Sequence, residues 1–491
     1  MPGLSKSRFL SGTQCLKKLW WEVHEPQASE LVPDAAQQAI FDRGHRVGEL
    51  AQQYIPGGVL IEGSRFEKAQ RVEATAEALR AGASVIYEAA FQEDGVFVAV
   101  DILERDENDF VLSEVKSTLD VKSPHIADVA IQMHVLQRAG LPIARGEVMH
   151  LNRDCRHPDL SNLFTRTDVT ELAQALLPAI PNQVRLQLAV IERPMPEVLP
   201  GDHCTKPYGC PFTGRCWPKL PEHHVSTLFG IRDKKLQQLI DAGYETLADL
   251  PEDFPANDKW KRQIAGQRTG SVVVEPGLKQ ALQRLLIEEG PIAFLDFETI
   301  MPVVPVWPGC HPYQQIPVQF SCHVLSETGI THHQCLADGP DDPRDAFAQA
   351  LVAACQGATT IIAYNAPFEQ RCINTVGAGR VPPLQSALQS IHDRIVDLLP
   401  IVRDHIYHPG FNGSFSLKAV LPALVPDLDY SDLDIQDGGT AMALLEDLLL
   451  RGQQFAPEAR SDLRSKLIKY CERDTLAMVR LYQRLCELAG H

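Results

Sequence analysis

The sequence predicts an α/β chain of two larger domains joined by a small helical connector, at residues 1–222, 289–491 and 223–288 respectively. Three observations predict it. Between Ser84 and Ser117, β-rich runs split by turn-prone residues replace the helical spacing that precedes them. In the C-terminal part, short apolar runs end in carboxylates, as at Pro291–Ile300 and Ile361–Glu369. Finally, 491 residues exceed one ordinary domain, at roughly 100–200 residues each.

Composition narrows the class. With 44% hydrophobic and 22% charged residues the chain is built to fold as an ordinary globular protein. No apolar run approaches the roughly 18 residues of a membrane helix, and no signal peptide opens the chain, so the expectation is a cytoplasmic protein without a membrane partner. Twelve cysteines in such a chain point to thiols and a metal site, not to a disulfide framework. The formal net charge of −17 disfavours bulk attraction to nucleic acid. A chain of this charge that acts on nucleic acid needs local basic surface and bound cations. Lys6, Arg8, Lys17 and Lys18, with no acid among the first twenty residues, supply one such patch.

In chain order, apolar spacing predicts helices from about Lys6, through Ala36–Tyr54, and over 66–82. Strands follow at Ser84–Phe91, Gly95–Glu104 and Asp109–Ser117, split by turn-prone Glu-Asp-Gly and Asp-Glu-Asn-Asp. Asp101 lies in the second strand, and Glu114 and Lys116 lie two apart in the third. Two carboxylates can hold a divalent metal while a lysine steadies the attacking hydroxide or the phosphate charge. The plainer alternative is cross-strand charge on a sheet surface. A helix at His125–Gly140 carrying Gln132 and a strand at Gly146–Leu151 come next. This order resembles the PD-(D/E)XK nucleases of the RecB-like branch, which implies that Asp101, Glu114, Lys116 and Gln132 form an active site with Mg²⁺ or Mn²⁺. Two positions depart from the family. Its early Gly-x-x-x-His reads Gly44-His-Arg-Val-Gly48, and its helix tyrosine is Leu136. His45 reads as an exposed helical residue. The departures leave open a weakened site or one retained for binding.

Cys204, Cys210 and Cys216 cluster after this core, and Cys15 stands alone before it. Four thiolates suit a 4Fe–4S cluster or a zinc ion equally by count, with His203 a substitute ligand in the zinc case. One cysteine ahead and three behind resembles the iron–sulfur RecB-like nucleases, which implies a 4Fe–4S cluster joining the two ends of the domain. The gap Cys204-x₅-Cys210 is wider than those relatives' first gap.

The connector stretch Ser226–Leu250 contains two helical runs separated by turns. It resembles a degenerate helix–hairpin–helix module, in which backbone N–H groups meet phosphates, and Lys234 and Lys235 suit that role. A structural helical hairpin is the competing expectation. Asn257–Arg262 adds Trp260 and three cations, fitting either a nucleic-acid contact or an amphipathic surface.

In the last domain, Asp296 and Glu298 sit at alternate positions of a strand and face the same way. Such carboxylates repel unless a cation separates them, and a hard divalent ion such as Mg²⁺ serves. Asn365 and Glu369 close the next apolar run, after a proline-rich insertion at Met301–Pro317, a strand at Val318–Val324 and a helix at Asp345–Cys355. Tyr470 and Asp474 stand at i and i+4 of a helix. These three motifs resemble the DnaQ-like 3′–5′ exonucleases of the RNase H-like fold. The resemblance implies that Asp296, Glu298, Glu369 and Asp474 hold two Mg²⁺ or Mn²⁺ ions and that Tyr470 orients the attacking water. That family mostly carries Asp where Glu369 stands. Asp397 takes a supporting structural role in this reading. Gly413–Val420 is a polar turn capping a helix, from which Lys418 either reaches substrate phosphate or is simply solvated.

Taken whole, the chain resembles a bacterial family that fuses a RecB-like iron–sulfur nuclease domain to a DnaQ-like exonuclease domain. The resemblance implies a metal-dependent nuclease, a DNA 3′–5′ exonuclease in DNA repair or phage defence. The alternatives are an RNA exonuclease, or a nucleic-acid-binding scaffold with one dead site among protein partners of a repair or defence complex.

Overall fold

The β-rich stretch from residue 84 to 117 forms three strands of one sheet in the computed structural model, which describes residues 3–64 and 66–490. The chain is mixed α/β and divides into two units, Met1–Pro218 with Val303–Gln314, and Lys219–Pro302 with Gln315–His491. Residues 223–288, expected as a separate connector, group with the C-terminal unit. Among the described residues no helix is long and apolar enough to cross a membrane.

The first unit is built on a mixed sheet. Its strands are β1 (Leu4–Ser5), β2 (Val59–Leu60), β3 (Val85–Glu93), β4 (Val96–Asp106), β5 (Asp109–Lys116), β6 (Ile143–Leu151) and β7 (Phe164–Asp168). The order is β2-β3-β4-β5-β6-β7, with β1 beside β4. Antiparallel hairpins join β3 to β4 and β4 to β5. Asp94 and Gly95 both have positive φ, as the tight two-residue turn between β3 and β4 requires. β6 returns parallel to β5 after the helix Ser123–Arg138, because a parallel pair needs a crossover. That helix buries Val129, Met133 and Leu136 against β-sheet residues such as Val98, Leu112 and Val148. The helix Ala35–Tyr54 starts where the Asp34 carboxylate accepts from Gln37 N–H at 2.8 Å. The proline-rich segment Val303–Gln314 belongs here, with Val303 in a core that includes Val47 and Tyr87.

In the second unit, β8 (Val273–Val274) pairs with a late strand, and a five-stranded sheet carries the rest. Its members are β9 (Ile292–Ile300), β10 (Ile316–Ser326), β11 (Gly329–Leu336), β12 (Thr360–Ala363) and β13 (Ile395–Asp397); β14 (Ile406–Tyr407) is the partner of β8. The order is β11-β10-β9-β12-β13, antiparallel from β9 to β11 and parallel from β9 to β13. β9 is therefore central and buried on both faces, which its near-continuous apolar run anticipates. The helix Pro457–Leu488 opens with proline at its first position and packs along β9 and β10. Gln319 binds it by donating to Leu467 O at 2.8 Å.

One expectation for Ser226–Leu250 changes. The first helical run is the helix Asp233–Asp241, but the second is only a 3₁₀ turn at Leu247–Asp249. The Asp249 carboxylate folds back to accept from the N–H groups of Thr246 (2.6 Å) and Glu245 (3.1 Å), and Pro251 follows, so the turn cannot extend. This stretch is no helical hairpin. It has a small core of its own, with Val225, Leu228, Leu239, Leu247, Leu250 and Ile264 buried together. At the end of the Gly413–Val420 turn the helix Leu417–Leu424 begins without a side-chain cap from Ser416.

Candidate active site

The central strand β9 presents Asp296 and Glu298 from one face, opposite Ser321 and Gln319 of β10. The helix Pro457–Leu488 crosses this face and delivers Asp474. One carboxylate oxygen from each of Asp296, Glu298 and Asp474 lies within 4.8 Å of the others, so these three form one acidic cluster. Glu298 and Asp474 are only 9% and 8% exposed. Water therefore screens their repulsion poorly. Burial pushes the Asp296 carboxyl well above its ordinary range, and Asp474, Glu298 and Glu369 push it further. Burial, then Asp474, takes Glu298 up to about 8. Asp474 rises to about 6, burial outweighing the hydrogen bond that Tyr430 gives it.

Glu369 stands apart from that trio but close enough to act on Asp296. Positive φ at Asn365 turns the chain out of β12, and Glu369 falls in the first turn of the helix Pro367–Gly377. It is buried, its Oε2 has no hydrogen-bond partner, and burial pushes its carboxyl up to about 8. A buried carboxylate oxygen left without a donor is costly unless a cation meets it. Asp397, by contrast, has Oδ1 engaged by the N–H groups of Asn365 (2.9 Å) and Leu399 (3.0 Å), a structural task.

Tyr470 lies one helical turn before Asp474, as the i, i+4 spacing expects. Lys418 donates to its hydroxyl at 2.9 Å and sits over the rings of Tyr470 and Tyr430, at 4.9 and 5.2 Å from their centroids. The lysine is thus part of this site and not a solvated helix residue. Its charge also acts on Glu298 and Asp474. Sequence reading missed Tyr430, whose hydroxyl donates to Asp474 Oδ1 at 2.5 Å. It comes from a loop without local periodicity, and no spacing rule could have placed it there. A groove of about 810 Å³ lies along the loops at Ser226–Gly230, Tyr364–Asn365 and Asn412–Leu417, ending beside Lys418.

In the first unit, Asp101, Glu114, Lys116 and Gln132 do come together. Asp101 accepts from Val115 N–H at 2.7 Å, and Gln132 donates to Glu114 Oε2 at 2.7 Å. Burial, then Glu114, raises Asp101 to about 7. Two further residues enter. Lys6, expected only as surface charge, donates to both oxygens of Glu114 at 2.7 and 2.8 Å. Asp128 pairs with Lys116 and lies 3.7 Å from Lys6. Its position four residues before Gln132 on one helix face is the signal that could have found it. Burial alone would raise Glu114, but Lys6 and Lys116 outweigh it and hold the carboxyl well below its ordinary range. Glu114 is therefore already neutralised from within, and as placed these residues do not fit a divalent ion. Gly48 leaves open space where a Cβ would be, and Leu136 is buried in the core.

Cys15, Cys204, Cys210 and Cys216 line one small enclosed cavity together with His203. Burial pushes the Cys210 and Cys216 thiols up, so free thiolates there need a metal's charge. Four thiols around one cavity are the donor type that an iron–sulfur or zinc centre uses. Protein contacts join the same two ends: Gln14 donates to His203 O and Tyr208 O, both at 2.7 Å, and Arg215 pairs with Glu25 and Glu30. Of the connector cations, Lys234 is exposed, while Lys235 rests over the Phe254 ring at 5.6 Å. Trp260 donates its ring N–H to Phe229 O at 3.0 Å, so its edge serves packing.

A family model described as a domain of unknown function (DUF2779) matches residues 293–416. The matched stretch contains Asp296, Glu298 and Glu369 and stops short of Lys418, Tyr470 and Asp474. No curated protein matches the chain.

Carboxyls with raised pKa values bind protons in the folded chain that the unfolded chain, ionising near pH 4, has lost. Metal-free stability should therefore fall as pH rises from about 4 to about 8. Replacing both Asp296→Asn and Glu298→Gln should flatten that slope, and Mg²⁺ should raise the melting temperature more at high pH than at low. Thermal unfolding in chelator across this range checks it, and a wild-type slope no steeper than the double variant's counts against the cluster. Lys6→Met leaves Glu114 short of a cation and should cost about 3 kcal/mol in urea unfolding. It should also raise the Mn²⁺ affinity of the first unit, read by Mn²⁺ electron paramagnetic resonance in an Asp296→Asn background. Unchanged stability together with unchanged Mn²⁺ binding would show that Lys6 is not the internal cation.

Proposed function

We propose that the C-terminal unit is a metal-dependent exonuclease domain of RNase H-like, DnaQ-like type, hydrolysing phosphodiester bonds at the 3′ end of DNA. One observation carries the reading: three mutually repelling carboxylates meet at a central strand, with a fourth, buried and lacking a donor on Oε2, beside them. Asp296, Glu298, Asp474 and Glu369 would hold Mg²⁺ or Mn²⁺, which supply charge to activate water and to stabilise the phosphorane-like transition state. The rest falls to the chain itself. Lys418 donates to the Tyr470 oxygen, and the phenolic proton is turned toward Asp474, where it would orient an attacking water beside the acids. The same ammonium offsets negative charge on Glu298 and Asp474 and stands where a phosphate oxygen could share it. Tyr430 fixes one oxygen of Asp474 and so sets which lone pairs face inward. The groove lined by Phe229, Asn412, Ser414 and Leu417 presents the Phe229 ring, which suits base stacking on a single strand.

The first unit, of PD-(D/E)XK RecB-like type in this proposal, carries its own internal cation at Lys6. That observation favours a binding role for it, with the Cys15–Cys204–Cys210–Cys216 centre, iron–sulfur or zinc, bracing its ends. DNA repair or phage defence is the setting this combination fits.

End-labelled single- and double-stranded DNA and RNA, incubated with Mg²⁺ or Mn²⁺, test the proposal. Asp296→Asn and Glu369→Gln should each lower release of terminal nucleotides by about 10²–10³-fold or more, and Lys116→Ala should leave most of it. Loss of activity only in Lys116→Ala or Asp101→Asn would make the first unit the engine. Faster loss of labelled RNA would reassign the substrate, and binding without cleavage would favour the scaffold. Purified without oxygen, the protein should be brown, with iron and labile sulfide that disappear in Cys210→Ala. Stoichiometric zinc in a colourless protein would overturn the iron assignment.

A further inference from the structure

A second group of ligand-bearing side chains lies on β10, β11 and the helix that carries Asp474. His323 of β10 and His332 of β11 are direct cross-strand partners, and their rings stack with centroids 4.3 Å apart. Glu472 reaches them from the helix Pro457–Leu488. One ring nitrogen of each histidine and one Glu472 oxygen lie within 4.8 Å of one another.

The hydroxyls around them fix which nitrogens carry protons. Four contacts form a chain: His323 Nδ1 to Thr475 Oγ1 (2.8 Å), Thr475 Oγ1 to Ser321 Oγ (2.6 Å), Ser321 Oγ to His332 Nε2 (2.9 Å), and Thr475 Oγ1 to Glu472 O (3.1 Å). A backbone carbonyl only accepts, so the Thr475 proton goes to Glu472 O. Ser321 must then donate to Thr475. His332 must donate from Nε2, and His323 from Nδ1. No other arrangement satisfies all four contacts. It leaves His323 Nε2 and His332 Nδ1 as bare lone pairs. His332 Nδ1 lies 3.8 Å from the Glu472 carboxylate, an acceptor facing an acceptor. Burial disfavours a further proton on either ring.

We infer that His323, His332 and Glu472 form a second metal site, distinct from the acidic cluster, that takes a transition-metal dication of the zinc class. Two neutral imidazoles and one carboxylate suit zinc, while a hard ion such as Mg²⁺ prefers oxygen donors alone. Each histidine has its second nitrogen held by a hydroxyl, the outer-shell arrangement that orients imidazole ligands. His323 is buried, whereas His332 and Glu472 have side chains 23% and 43% exposed, so solvent reaches the site and can complete the coordination. Donors of a tetrahedral zinc ion with bonds of about 2.0 Å stand about 3.3 Å apart. Rotation of the exposed Glu472 side chain brings the third donor inward. A metal here ties the β10–β11 hairpin to the helix two residues before Asp474, so it braces the segment that carries that acid. The inference does not depend on the proposed nuclease activity.

The test is calorimetric titration of Zn²⁺ into the full-length protein, with excess Mg²⁺ present to fill the acidic cluster. His332→Asn and Glu472→Gln are compared with wild type, all first shown to share one melting temperature in chelator. Zinc held by the cysteine cavity is common to all three and cancels. The wild type should bind one more zinc equivalent than His332→Asn, and Glu472→Gln should bind that equivalent at least tenfold more weakly. Equal stoichiometry and affinity in all three proteins would overturn the site. Should His332→Asn melt earlier, the exposed Glu472→Gln decides alone, an unchanged affinity counting against the site.

Discussion

Three carboxylates that repel one another are held at a central strand, and much of the second unit exists to keep them there. Asp296 and Glu298 alternate on β9, and Asp474 is brought across from a helix of 32 residues. Among the described residues nothing neutralises the group fully. Lys418 acts on two of its members, and Tyr430 gives one hydrogen bond. The packing of the helix on β9 and β10 must therefore offset an electrostatic cost, which falls on folding whenever no external cation is bound. A site of this kind is stable in proportion to what it binds, which couples metal occupancy to the position of the helix.

The first unit resolves a similar problem in the opposite way. Asp101 from the middle of β4, Glu114 near the end of β5 and Asp128 from the helix Ser123–Arg138 are gathered together, but Lys6 and Lys116 supply two positive charges at short range. Gln132 closes the remaining oxygen of Glu114. Two cations are thus built into the chain for three acids, and Asp101, raised to about 7, is the carboxyl left without one. Residues of the same types therefore produce an ion-demanding site in one unit and a largely internally paired one in the other. The difference is the reach of one lysine near the N-terminus.

How much of this was legible in the sequence follows from the range of each interaction. β9 and the strands from Val85 to Lys116 were legible because apolar and β-rich runs are local signals. Asp296 with Glu298, and Tyr470 with Asp474, were legible because strand and helix periodicity place neighbours on one face. Lys6 was not, since its partner Glu114 is 108 residues away and nothing near Lys6 hints at a buried acid. Tyr430 was hidden for the same reason. His323 and His332 lie in an ordinary-looking hairpin, and only the register that sets them opposite each other makes them a pair. The second helical run of the connector failed for a local reason: Asp249 caps its own turn, a competition between side chain and backbone that apolar spacing does not register.

The position of bound manganese bears most directly on the role of the Asp296 cluster. Crystals of the full chain grown with Mn²⁺ and measured at the manganese absorption edge would show it by anomalous scattering. Peaks within about 2.2 Å of oxygens of Asp296, Glu298 and Asp474, with one also touching Glu369, are the expected result. Peaks only at Asp101 and Glu114, or none beside Asp296, would contradict it.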